Sequence, residues 1–242
     1  MESTYEKWLK EEREWIGAYC GRTLRNSLLK VIPMTLVLSA LLFGGLVFLN
    51  GGTQDLLTGV IGGLVFGAII SVFYLAILLL SLRPGRYVRK IEKCVRELSM
   101  TEMERELLGK EMLAALERDD QVLSYQMIGP NSKGTPARVI LTPHYVLQEG
   151  SSPYAILIRL SDIAEVKTGS EEKVAVTRGS KSRIRHYFTL HTIGFYRKDR
   201  VERGVSEKDL PDYAMGFFQK GLRDDAAGMM EKNGIRVTYS EM

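Results

Sequence analysis

The side chains able to do chemistry are few and scattered. Three histidines occur, His144, His186 and His191. The last two fall in one stretch, 184–193, that reads as a strand, and their odd separation puts them on opposite faces, so a shared metal site is not expected. Asp119-Asp120 and Glu171-Glu172 are adjacent acids in turn-rich sequence, with neither a third ligand nor a nearby histidine. Asp162 follows Ser161 at a strand end, where a carboxylate serves as a turn or strand-end cap rather than a general base. Cys20 and Cys94 are not a paired CxxC, and GxGxxG, P-loop, HExxH and GxSxG patterns do not occur. No cofactor, metal or small-molecule substrate is implied, and the chain is expected not to be an enzyme, although acid/base pairs can assemble from distant positions.

One charged feature rises above this background. RGSKSRIR, 178–185, carries Arg178, Lys181, Arg183 and Arg185 around a Gly-Ser turn, and Arg197, Lys198, Arg200 and Arg203 follow. Cations clustered at a hairpin tip can dock anionic lipid headgroups electrostatically or meet an acidic partner. A solvated hairpin with charge for solubility accounts for the same residues. Nucleic acid is not expected, because aromatic stacking residues are not interleaved with these cations.

The elements that position these groups follow from charge and hydropathy. The 242 residues carry 33 basic and 29 acidic side chains, a net +4, yet from Val31 to Leu82 only Asp55 is charged. Two apolar runs lie there, 31–49 and 58–82, each long enough to cross a hydrocarbon layer of about 30 Å as a helix. NGGTQDLL, 50–57, joins them as a turn, giving a transmembrane helical hairpin over 31–82. A cleaved signal peptide is the competing reading of the first run, but thirty mixed-charge residues precede it. Arg22, Arg25 and Lys30 precede the hairpin, Arg83, Arg86, Arg89, Lys90, Lys93 and Arg96 follow it, and the turn has no Lys or Arg. The positive-inside rule therefore places the protein in the cell membrane with two passes and both termini cytoplasmic. There Cys20 and Cys94 would be reduced. Gly59, Gly63, Gly67 and Ser71, spaced by four, give the second span a face of small residues. That face suits packing on the first span, or a homo-oligomer or protein partner through the transmembrane helices.

Residues 1–30 read as an amphipathic helix opened by a Ser3/Glu6 capping box, with Trp8, Trp15 and Tyr19 on one face suited to the membrane interface or to the cytoplasmic domain. Residues 83–120 read as a helical connector. Tyr87, Ile91, Val95 and Leu98 line its first part; a Ser99/Glu102 capping box restarts it with Met103, Leu107, Met112 and Leu116. Its start is basic (Arg83, Arg86, Arg89, Lys90) and its end acidic, as a stalk leaving an anionic surface would be. From 121 to 242 the period is that of strands, expected at 122–128, 137–142, 144–148, 154–160, 163–168, 173–178 and 184–193. These make a strongly bent antiparallel sheet or small barrel. A helix is expected over 211–232 with Pro211 at its start, and IRVTY, 235–239, offers a last strand. The fold class is thus an α+β membrane protein.

LTPHYVLQ (141–148) followed by ILIRLSDIAEV (156–166) resembles the strand-turn-strand and Asp-Ile pattern of bacterial two-span membrane proteins with a pleckstrin-homology-like (PH-like) cytoplasmic domain. Strands closed by one C-terminal helix fit the same likeness, which covers about half the chain. The resemblance implies a binding or scaffold module and carries over no catalytic residue. The expected function is a non-enzymatic membrane scaffold or regulator whose PH-like domain binds a protein partner or membrane lipids. The alternatives are an accessory subunit of a transporter or secretion complex, and an enzyme whose site forms only on oligomerisation.

Overall fold

The computed structural model describes residues 2–129, 132–150, 155–178, 183–202 and 210–239; of 132, 133, 177, 178 and 183 it describes the backbone alone. Contacts divide the chain into two compact units, Met1–Glu12 with Tyr87–Met242, and Arg13–Arg86.

The second of these units is helical. Helix α1 (Thr4–Asn26) runs through a π-turn (Ser27–Val31) straight into α2 (Ile32–Gly51), and α3 (Leu56–Ser81) returns after the Gly52–Asp55 reversal. The first apolar run is therefore the continuation of α1 rather than a separate helix. Pro33 explains the π-turn: it lacks an N–H for the helical ladder, and the widened turn absorbs the interruption just before it. Two helices here are long and apolar enough to cross a membrane, and only 6% and 17% of their most apolar windows are covered. Leu41, Leu49, Val72, Phe73 and Ile77 all point outward, unlike the side chains of a core helix in a water-soluble fold.

Where α2 and α3 do touch, small residues decide the spacing. Gly44, Gly59, Gly63, Gly67 and Ser71 are the buried positions of the two helices. A Cβ on Gly63 would lie 2.4 Å from the Ser39 carbonyl oxygen, and one on Gly59 2.9 Å from that of Phe43. Backbone meets backbone along this face, with no side chain able to yield.

The other unit is α+β. Strands β1 (Val122–Gly129), β2 (Ser132–Leu141), β3 (Tyr145–Gly150) and β4 (Ile156–Arg159) form one antiparallel sheet in sequence order. Strands β5 (Ile163–Arg178), β6 (Arg183–Arg197), β7 (Tyr213–Phe217) and β8 (Val237–Thr238) form a second, ordered β7-β6-β5-β8, with β8 parallel to β5. A short helix, α6 (Lys198–Val201), follows β6. Val139, Leu141, Val146 and Ile158 from the first sheet meet Val166, Ile193, Phe195, Met215 and Phe217 from the second. Ala226, Ala227 and Met230 of α7 (Lys220–Lys232) complete this core.

The first sheet is buried on both faces. Every residue of β3 is buried, as are Ala137 through Leu141 of β2, so both faces of these strands are covered, Arg138, Gln148 and Glu149 included. The opposite face is covered by the beginning of α1 together with α4 (Pro84–Glu97) and α5 (Glu102–Leu116). Ile91, Val95, Leu108, Met112 and Ala115 are buried there, while Met103 and Leu107 are exposed. The connector is thus a packed layer of the β unit and not a stalk; of the face expected on α5 Met112 is buried, while Leu108 and Ala115 turn inward in place of Met103 and Leu107.

Three further expectations are corrected. The second capping box is Thr101/Glu104, because Ser99 closes α4 in a left-handed conformation (φ 49°) and cannot also open α5. Both Ser99-x-x-Glu102 and Thr101-x-x-Glu104 fit the pattern, and the end of α4 chooses between them. The stretch from Pro211 is not helical at first: Met215 and Phe217 alternate into the core as β7, and α7 begins only after extended Gln219. Of the two placements open to Trp8 the membrane interface gives way to the other: the side chain is fully buried in the β unit.

The first turn of α1 is held by Ser3 and Glu6, which form the expected reciprocal cap, and by Thr4, whose N–H and hydroxyl donate to the Glu106 carboxylate at 3.0 and 2.6 Å. Gly109 of α5 permits this approach, since a Cβ there would lie 2.5 Å from Tyr5 Cα. Gly109→Val is expected to lift the first turn away at a cost of about 1–3 kcal/mol, read as faster amide exchange confined to Thr4–Glu12. Unchanged exchange there would contradict this packing.

Candidate functional site

Strands β5 and β6 are far longer than the sheet that contains them. Strand β8 pairs with β5 only at Val166 and Lys167, and β7 pairs with β6 only over His191–Phe195. From Glu171 to Arg178, among the described residues, the two strands pair only with each other, in a register that ends with Arg178 opposite Arg183. This two-stranded arm projects by roughly 25 Å at about 3.4 Å per residue. Gly169-Ser170-Glu171-Glu172, expected as a break between two strands, instead pairs continuously with Thr189–Thr192.

The core-facing side of the sheet continues onto the arm. Beyond buried Val166, Thr168, Ile193 and Phe195, the same side carries Val174 opposite Tyr187 and Val176 opposite Arg185. Among the described residues the first sheet does not extend beneath them, and Val174 and Val176 are each 49% exposed and Tyr187 71%. On the reverse side Ile184 is also exposed. An isolated two-stranded ribbon is marginal in water, and among the described residues this one has both edges open and apolar side chains uncovered.

The sequence-predicted cations divide into two groups. Arg185 is exposed on the arm; the backbone places Arg178 and Arg183 at its end, and Lys181 lies outside the described residues. Arg197 and Lys198 are at the other end of β6, roughly 40 Å from Arg185 along the strand. There Arg197 pairs with Asp199 at 3.2 Å, while Arg200 pairs with Asp212 at 3.3 Å; Arg203 lies outside the described residues. Arg197 and Lys198 therefore do not join the arm. Arg83, Arg86 and Arg89 are exposed along the start of α4, Arg86 donating to the Leu80 carbonyl at 3.2 Å.

The histidines are brought to separate places. His144 pairs with Glu111, His186 is exposed on the arm, and His191 Nδ1 lies 2.8 Å from Ser170 Oγ, the residue directly opposite it. Burial and then Arg223 lower the His191 pKa, favouring neutral imidazole. A nucleophile–base pair needs a third group orienting the base. Here Arg223 instead donates to Gly169 O and Ser170 Oγ, tying α7 to the root of the arm. Among the described residues no cluster of three or more metal-ligating side chains forms.

One polar cluster was illegible in the sequence. Arg138 and Glu149 are cross-strand partners on the covered face of the first sheet, joined through Nε and Oε1 at 2.5 Å. The other arm of the same guanidinium reaches Glu12 of α1, and Glu12 also accepts from Trp8 Nε1 at 2.7 Å. Both glutamates are essentially inaccessible to water. Two carboxylates on one guanidinium leave a surplus negative charge, which in a dry interior requires a retained proton. Burial, reinforced by Glu149, pushes the Glu12 carboxyl well above the usual range despite Arg138. Burial also pulls on Arg138, but the two carboxylates outweigh it and hold it charged. Burial and the same carboxylates raise the Tyr87 phenol beside them. The cluster is closed on itself and binds the start of α1 to the sheet.

No protein-family model, curated protein or solved structure matches the chain.

Proposed function

We propose that this chain is a non-enzymatic, two-span membrane protein whose β domain is a docking module, working as a scaffold or regulator through the β5–β6 arm. On this reading α2 and α3 form the transmembrane hairpin, both termini are cytoplasmic, and the β domain is of the PH-like kind. Strands closed by α7 support that likeness. Holding a module at a surface raises its effective concentration toward anything else held there.

The observation that carries the reading is the arm. A protein that buries an ion cluster to dock one helix turn nonetheless leaves Val174, Val176, Ile184 and Tyr187 exposed beside Arg185. Exposed apolar side chains rimmed by charge mark interaction surfaces. The test is a photo-reactive phenylalanine analogue placed at Tyr187 in living cells, with exposed Asp119 as the control position. Adducts at 187 but not at 119 are expected. Equal labelling of solvent at both, without adducts, would overturn the docking role.

A further inference from the structure

We infer that the occupant of the arm is an anionic lipid bilayer surface, with Val174, Val176 and Tyr187 entering the headgroup boundary and Arg185 meeting lipid phosphates. This rests on the docking role above and names its partner. Three observations carry it.

The first is charge. The arm has two acids at its root, Glu171, which pairs with Lys173, and Glu172; beyond them, from Lys173 to Leu190, the sequence has five Lys or Arg and no Asp or Glu, although acidic residues are about as common as basic ones in the whole chain. A protein-facing surface gains specificity from both signs; a one-sign surface complements a uniformly anionic plane.

The second is the chemistry of the exposed side chains. Val174 faces Tyr187 and Val176 faces Arg185 across the two strands, so aliphatic groups, an amphipathic ring and a guanidinium share one side. Tyr and Arg both carry an apolar body and a polar end, which suits a boundary where one side is wet and the other is not. The third is backbone. The arm's own pairing satisfies its inward N–H and C=O groups, while its outer edges can stay at headgroup depth, where water and phosphate are available.

The test uses the full chain with Cys20→Ser, Cys94→Ser and Tyr187→Cys, labelled at 187 with an environment-sensitive nitrobenzoxadiazole dye. It is reconstituted in nanodiscs of phosphatidylcholine alone or mixed with phosphatidylglycerol. A parallel sample in phosphatidylcholine discs receives phosphatidylglycerol vesicles, so that a surface other than its own is also offered. Blue-shifted, intensified emission is expected with anionic lipid in at least one arrangement, and reversal at high salt. Removing a cation by Arg185→Gln should weaken the association about fivefold. Val174→Ser with Val176→Ser should abolish the blue shift while leaving the charge intact. Identical emission with and without anionic lipid in both arrangements would overturn the inference, as would an equal shift from a dye at exposed Leu210. Emission that follows the number of chains per disc rather than lipid charge would assign the arm to a second copy instead. The docking role is judged separately. Protein adducts from position 187 in cells, with no lipid response, would keep it and reject the bilayer; silence in both would reject both.

Discussion

Arg138→Met is expected to lower the stability of the β unit by about 3–5 kcal/mol, because it leaves two buried carboxyls without their cation. For a unit of this size that corresponds to a fall in melting temperature of roughly 6–20 °C. The loss should grow with pH, since each carboxyl can escape its penalty only by taking a proton. Glu12→Gln should behave oppositely. An amide keeps one of the two accepting oxygens that Trp8 Nε1 and Arg138 now use, supplies a donor toward Glu149, and removes the surplus charge. It is expected to be neutral or stabilising near pH 8.

The sign of the wild-type pH dependence follows from the same group. The Glu12 carboxyl is raised in the folded state. Its stabilising contribution is therefore fully present below the ordinary carboxyl pKa and is lost as pH rises toward its folded value, at up to about 1.4 kcal/mol per pH unit. Thermal melts of the full chain in detergent should show the β-unit transition moving down between about pH 5 and pH 8. The Glu12→Gln transition should move less. An equal slope in both proteins would show that Glu12 does not carry this proton.

Gly63→Leu is expected to separate α2 from α3. The new Cβ would meet the Ser39 carbonyl oxygen at 2.4 Å and Ala40 Cα at 2.8 Å, and backbone cannot turn aside as a side chain can. Overpacking costs about 1–3 kcal/mol where neighbours can shift, and here the helices themselves must move. A Cβ at Gly67 lies 3.1 Å from that of Ser39, a few tenths of an ångström inside the roughly 3.5–4.5 Å that a disulfide spans. In a Cys20→Ser, Cys94→Ser background, Ser39→Cys with Gly67→Cys should therefore cross-link within one chain under mild oxidation. Adding Gly63→Leu should abolish the cross-link. Persistence would mean that the small-residue face does not set this contact.

What the sequence disclosed tracks the range of the physical signal. Hydropathy over twenty residues is strong and local, so both apolar helices were legible, apart from the fusion of α1 with α2. The cause of that fusion, a π-turn ahead of Pro33, leaves no hydropathy mark. Strand periodicity located β1, β3 and β4 closely. It broke β5 in two, because Gly169-Ser170 has turn composition although its pairing with His191 and Thr192 runs straight through. Met215 and Phe217 were assigned to a helix because apolar residues there satisfy a helical spacing as well as an alternating one. The basic tip was visible as a charge run. Its apolar companions were not: whether Val174 and Tyr187 are core or surface depends on where the opposing first sheet stops. The Glu12–Arg138–Glu149 cluster was the least accessible, since its members come from distant segments and Glu12 stands among three other glutamates on the same helix.

The account turns on the arm being occupied where the protein works. Hydrogen exchange of the full chain, measured in its native membranes and again in detergent micelles, tests this most directly. The expected result is slower exchange in the membrane over 171–178 and 183–190, with no change in the buried strands β2 and β3. Equal exchange along the arm in the two environments would mean that nothing covers it, and would contradict the docking role.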